Sequence, residues 1–269
     1  MLIALLIIIF LSALYVLSTV GRINHKGLQA LQGWAYAHRG LHGNGVPENS
    51  MEAFRLAKAA GYGIELDVHL LADGNLAVMH DSALARTTGA EGYIEELTTQ
   101  QLKDFHLEGT DQVIPEFRQV LDLFAGEAPI IVELKCVNNN YAALCQTACE
   151  MLDNYHGVYC MESFDPRCVR WLRKNHPDII RGQLAENYLA NTKSPIPFIL
   201  KFILKNHMLN FLTQPDFIAY KFVDRKTVGN WICRKFWGMQ GVTWTIQNQE
   251  EYDIAVTEGW IPIFEGFLP

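Results

Sequence analysis

The sequence predicts an α/β protein: a (β/α)8 TIM barrel preceded by a single N-terminal transmembrane helix. Three observations carry that expectation. From Trp34 onward short apolar runs alternate with helical patterns, eight of the runs read as parallel strands, and the segment before them has no charged side chain from Met1 to Gly21. The expected domains are therefore a membrane anchor over 1–21 and a barrel domain over 34–269, about 235 residues and a usual size for one such barrel.

The N-terminal segment comes first. Leu2 to Leu17 is almost wholly Leu, Ile, Ala, Val and Phe. A helix of roughly 20 such residues crosses the ~30 Å hydrocarbon layer. Tyr15 and then Arg22, His25 and Lys26 provide interfacial and charged flanks on the C-terminal side alone. A cleaved signal peptide opens with basic residues, and none precede this run, so a retained anchor is the preferred reading and a cleaved signal the alternative. Basic residues after the span place the barrel domain in the cytoplasm as a single-pass membrane protein.

The expected strands are Ala35–His38, Gly63–His69, Pro129–Lys135, Gly157–Ser163, Ile179–Leu184, Asp216–Lys221, Gly241–Thr245 and Pro262–Glu265. Leu76–His80, after the turn Asp73-Gly74-Asn75, forms a hairpin arm on the second strand. Asn49-x-x-Glu52 reads as a capping box for a helix stopped at Gly61. Thr98–Phe105 and Glu116–Phe124 also read as helices. Ile196–Leu212 is apolar almost all round, with Lys201, Lys205 and His207 as its only breaks. It is either a buried barrel helix or a lipid-facing helix beside the anchor.

Composition narrows the function. At 49% hydrophobic and 19% charged, the chain can fill a core. A net charge of −7 leaves no basic track for phosphates, which argues against a nucleic-acid groove. None of the six cysteines forms a C-x-x-C pair, so they read as reduced, buried small hydrophobes.

The chemistry gathers on the early strands. Strand alternation puts Glu65 and Asp67 on one face and Ile64, Leu66 and Val68 on the other. Inside a barrel the two acids are costly unless a cation compensates them. Glu133 and Lys135 repeat the pattern on the next strand, and three converging carboxylates suit a hard divalent ion, Mg2+ or Ca2+. The alternative is an internal ion-pair network with Lys135 and Arg39. His38 and His80 end two different apolar runs and make a natural acid and base pair near neutral pH. His69 shares the inward face but reads as a spectator.

His38-Arg39-Gly40, Pro47-Glu48-Asn49-Ser50, Glu65-Leu66-Asp67-Val68, Met79-His80-Asp81 and Glu133-Leu134-Lys135 together resemble the glycerophosphodiester phosphodiesterase family. The likeness continues through Arg86-Thr87-Thr88, Gly92-Tyr93-Ile94-Glu95-Glu96, Ile114-Pro115-Glu116 and Val242-Thr243-Trp244-Thr245. The resemblance implies a barrel with metal held by Glu65, Asp67 and Glu133, and His38 and His80 as general acid and base. It implies Arg39 and Lys135 against the phosphate, Glu48 in the metal or substrate cradle, and Trp244 as a wall for the glycerol carbons. The implied reaction proceeds through a cyclic phosphate to glycerol 3-phosphate. Ile263-Phe264-Glu265-Gly266 departs from the family's Thr-Asp pattern and leaves the role of Glu265 open. The apolar stretch 191–215 points toward lipid-like diesters. Two rival readings are phospholipase D-type action on lysophospholipids and a membrane-tethered barrel that binds without turnover.

Overall fold

The computed structural model describes residues 1–22, 25–190 and 196–269. Among the described residues nine strands form in chain order: β1 Tyr36–His38, β2 Gly63–Leu70, β3 Leu76–Val78, β4 Ile130–Leu134, β5 Tyr159–Ser163, β6 Arg181–Ala185, β7 Phe217–Lys221, β8 Gln240–Ile246 and β9 Trp260–Phe264. All but β3 pair in parallel, and β1 pairs with both β2 and β9, which closes the sheet into an eight-stranded barrel. β3 runs antiparallel along β2 (Val68 opposite Val78), as the hairpin-arm reading expects.

The helices are α1 Leu2–Ser18, α2 Met51–Ala59, α3 Ala85–Thr88, α4 Phe117–Phe124, α5 Tyr141–Leu152, α6 Pro166–Asn175, α7 Phe198–Lys205, α8 Asn210–Thr213, α9 Val228–Trp231 and α10 Gln249–Thr257. Within the expected helix Thr98–Phe105, residues Thr99–Asp104 wind as a 3-10 helix.

Alternation along the strands sorts the core into two shells. Ile64, Leu66, Val68, Ile130, Val132, Leu134 and Met161 face the helices, where they meet Phe54, Phe117, Val120 and Leu144. The opposite parity fills the barrel's lower interior with Tyr36, Ile131, Cys160, Phe217, Val242 and Ile263. A 3-10 turn, Lys26–Leu31, lays Leu28 and Leu31 against this plug and forms the barrel floor. The six cysteines are all free thiols, five of them buried, as expected of small core hydrophobes.

Two local expectations are corrected. The cap of α2 is Ser50, whose hydroxyl accepts from the Ala53 amide at 3.1 Å, so Asn49 is not the capping residue. Ile196–Leu212 is neither one helix nor a buried one. It breaks into α7 and α8, with Phe198 and Ile199 each 72% exposed while Lys201 is buried. Residues 191–195 of the apolar stretch lie outside the described residues.

The N-terminal helix is shorter than the span expected over 1–21. Among the described residues no helix is long and apolar enough to cross a membrane. α1 has 17 residues, about 26 Å at the usual rise, against a ~30 Å layer. Its last turn is also occupied by the protein. Trp237 donates to the Val16 carbonyl at 3.1 Å, Asn210 to the Thr19 carbonyl at 3.3 Å, and Tyr15 to Asn206 at 3.2 Å. Arg22 then clamps Asp216 at 2.5 Å, just before β7.

Candidate active site

The strand C-termini bring the expected residues together. β1 ends at His38, and Arg39 and Gly40 follow with φ of +55° and +80°. Gly40 is required there, because a Cβ would sit 2.8 Å from the Ala53 backbone as well as in a left-handed conformation. The turn sends the Arg39 side chain back over the barrel, where its Nε lies 3.4 Å from Asp67. β2 and β4 run in register with Asp67 beside Glu133, and β5 places Glu162 beside Glu133 in turn.

Glu65, Asp67 and Glu133 are buried and offer carboxylate oxygens within 4.8 Å of one another. Lys135 bridges two of them, 2.8 Å from Asp67 and 2.7 Å from Glu133. The ion-pair network weighed from sequence is thus present, but it does not balance the charge. Among the described residues Glu65 accepts a hydrogen bond only from the Arg39 amide, at 3.3 Å, and one oxygen of Glu162 is buried with no partner. Burial, then repulsion from Asp67 and Glu133, pushes the Glu65 carboxyl well above its usual range. Burial and Glu133 do the same to Glu162. Burial also lifts Glu133, against the pull of Lys135. Burial opposes the charge on Asp67 too, yet Lys135 and Arg39 overcome it and hold that carboxyl far below normal. Four carboxylates face two cationic side chains, and an all-oxygen donor set of this kind fits a hard divalent cation.

The two histidines reach the same mouth. His38 places Nε2 3.9 Å from Glu65 and is held through Nδ1 by Glu265 at 2.6 Å. His80 is held through Nδ1 by Asp81 at 2.6 Å, and Arg86 steadies Asp81. Burial lowers the pKa of both imidazoles, while Glu265 and Asp67 respectively pull the other way. His38, Arg39, Glu65, His80, Glu133 and Trp244 line one cavity of about 290 Å3. Trp244 forms a wall of it. Lys135 opens onto the adjoining pocket with His80.

Glu48 sits apart from the converging acids. It accepts from Arg39 at 2.9 Å and from Arg86 at 2.6 Å, and so aligns two guanidiniums at the rim. His69 is buried between Glu95 and the His80 carbonyl, which suits a spectator.

Two residues escaped the sequence reading. Glu162 lies on an expected strand at the inward parity of Cys160, a signal that alternation could have exposed. Asn49, taken for a cap, instead donates to Asp67 at 2.8 Å. Glu265, left open, is the partner of His38, and with His42 it forms a second cluster of converging donor atoms.

This geometry can be set beside known proteins. The model of the glycerophosphoryl diester phosphodiesterase family matches residues 38–264. The chain belongs to that family. It is a phosphodiesterase, a hydrolase, and the family generally depends on a divalent metal. A glycerophosphodiester phosphodiesterase of Caldanaerobacter subterraneus is 31% identical over 83% of this chain and 89% of its own. One from Bacillus altitudinis is 40% identical over 39% of this chain, a stretch equal to 46% of that relative's length. Among solved structures, an Oleispira antarctica phosphodiesterase, captured with its product sn-glycerol-3-phosphate, superposes with a TM-score of 0.70. It covers 86% of this chain and 92% of its own at 21% identity, a likeness of fold.

Proposed function

We propose that this phosphodiesterase hydrolyses glycerophosphodiesters to glycerol 3-phosphate and an alcohol. In this reading His38 and His80 transfer the protons, and Glu65, Asp67 and Glu133 hold Mg2+ or Ca2+. The observation that carries it is the convergence of both imidazoles and the acidic cluster on one small cavity. When bound, the cation supplies Lewis-acid stabilisation of charge on the phosphoryl oxygens.

The chain's own groups account for the rest. Arg39 and Lys135, paired with the same carboxylates, neutralise the phosphate. Glu265 fixes the His38 ring so that Nε2 faces the cavity, where it takes the proton of the glycerol 2-hydroxyl as that oxygen bonds to phosphorus. His80, whose charged form Asp81 and Asp67 favour, gives its proton to the departing alcohol oxygen as the P–O bond breaks. Water then opens the cyclic phosphate with the two roles exchanged. Trp244 offers its face to the glycerol carbons.

The Oleispira relative's product supports the product class. The test is release of glycerol 3-phosphate from glycerophosphocholine by protein purified with Mg2+ or Ca2+. No hydrolysis across a broad panel of diesters would replace this reading with a barrel that binds without turnover.

We also propose that α1 embeds in a membrane with the barrel on the cytoplasmic side. The support is its exposed and, apart from Ser12, wholly apolar surface from Leu2 to Leu14, followed by Arg22 and Lys26. A reporter fused to the C-terminus and active on one side only tests the sidedness.

A further inference from the structure

A cavity of about 510 Å3 lies apart from the barrel mouth, between the chain that follows β7 and the end of α10. Four cationic side chains line it, Arg225, Lys226, Arg234 and Lys235, against one carboxylate, Glu258. That carboxylate is occupied by Arg225, which holds its two oxygens at 2.7 and 3.1 Å. Lys226 and Lys235 are exposed and, among the described residues, form no ion pair.

Arg234 is built into the cavity wall. Its guanidinium stacks on Trp260, 3.8 Å from the ring centroid, and donates to the Glu258 and Gly259 carbonyls at 2.7 and 2.9 Å. Gly241 makes room for the stack, since a Cβ there would lie 2.3 Å from Trp260 and 2.6 Å from Arg234 Nε. That Nε is buried with no acceptor. Burial, against the pull of Glu258, and then repulsion from Arg225 push the Arg234 pKa down to about 10. A guanidinium keeps its proton there at neutral pH, so the cavity holds a fixed cation short of counter-charge.

The same stretch of chain joins the cavity to α1. Past α9 it continues as a π-helical turn, Ile232–Phe236. Trp231, Arg234 and Lys235 line the cavity, while Cys233 donates to the Thr19 carbonyl at 3.6 Å and Trp237 to that of Val16. α1 leaves the barrel at Tyr15 and Val16, and every residue before them is exposed. With α1 embedded, that exit marks the lipid surface. Trp231 and Phe236, each 60% exposed beside basic side chains, have the composition such a boundary favours.

We propose that this cavity binds the phosphate of an anionic phospholipid headgroup, with Arg234, Lys226 and Lys235 around it and Trp231 at the acyl boundary. The inference rests on the embedding of α1 and adds a lipid-selective contact to it. Charge complementarity chooses the occupant. The three cations favour a lipid of net negative charge over zwitterionic phosphatidylcholine, whose ammonium they repel. The lipid is a neighbour of the barrel and not a substrate, because the cavity shares no lining residue with the catalytic one.

The test titrates full-length protein in neutral maltoside micelles with phosphatidylglycerol carrying a fluorophore on its acyl chain, then with the matching phosphatidylcholine. Wild type should bind the phosphatidylglycerol about tenfold or more tightly. Lys226→Glu combined with Lys235→Glu should weaken that binding by about tenfold or more, since each basic residue at an anionic surface contributes about fivefold. The melting temperature should stay near wild type, because both lysines are exposed. Lys103→Glu combined with Lys174→Glu makes the same change in net charge at exposed positions outside the cavity, and should leave binding within about twofold of wild type. Equal affinity for the two lipids, or equal losses in the two double variants, overturns the site. So does displacement of the lipid by equimolar inorganic phosphate, which marks a pocket for free anions. Embedding of α1 is read separately, by flotation of wild-type protein with pure phosphatidylcholine vesicles. Absence from the floated fraction ends that reading, and the micelle titration still decides the cavity.

Discussion

His38 Nδ1 lies 2.6 Å from a carboxylate oxygen of Glu265, so the last barrel strand orients the imidazole presented by the first. The bond fixes the tautomer and favours the charged ring against the penalty of burial. Glu265→Gln should lower kcat by about tenfold or more, as losses of a ring-orienting carboxylate do. Its removal lowers the His38 pKa further, so the acidic limb of the pH–rate profile should move to lower pH. A profile superimposable on wild type would remove Glu265 from the mechanism.

His38→Ala and His80→Ala should each reduce kcat by roughly 10²–10⁴, the usual contribution of a positioned acid or base. Neither ring belongs to the buried core clusters, so melting temperatures should stay near wild type. Near-normal turnover in either variant refutes the paired assignment.

Chelation of the protein should abolish hydrolysis, and added Mg2+ or Ca2+ should restore it. The same ions should raise the melting temperature, because binding relieves the repulsion among Glu65, Asp67 and Glu133. At a concentration 100 times Kd the gain is about 2.7 kcal/mol. Glu65→Gln should lose most of that metal-induced stabilisation; an undiminished shift contradicts the ligand set.

A glycerophosphodiester analogue lacking the 2-hydroxyl should bind yet resist cleavage, because no oxygen remains to form the cyclic phosphate. Phosphorus NMR of the two substrates side by side reads this directly. Equal rates would replace the cyclic route with direct attack by water.

His207 supplies a prediction about stability. It is 2% exposed, holds Asn230 at 2.6 Å, and burial pushes its pKa down to about 4. The unfolded chain takes up this proton near pH 6.5 and the folded chain does not, so stability falls as pH drops from 6.5 toward 4. Between pH 7 and pH 5 the loss is about 2 kcal/mol from this residue. Urea titrations at the two values should show it, and His207→Gln should reduce the difference.

Much of this molecule was legible in the sequence because a strand's two-residue period states which side chains turn inward. Ile64, Leu66 and Val68 against Glu65 and Asp67 sufficed for β2, and Ile131 and Glu133 against Val132 and Leu134 for β4. Eight such runs implied closure. What stayed hidden depended on contacts between distant segments. Asn49 precedes a helix as a cap would, and only the fold reveals Asp67 beside it. Glu265 looked like a departure until the pairing of β1 with β9 set it against His38. α7 is apolar on every side, so periodicity could not say which face turns in. Lys201 lies on the buried side.

The clamp of Arg22 on Asp216 has a mechanical consequence. With the Thr19 end held by Asn210 and the Val16 carbonyl by Trp237, the last turn of α1 is tied to the barrel wall. In the membrane-embedded reading proposed above, these ties set the height and tilt of the catalytic opening over the lipid surface.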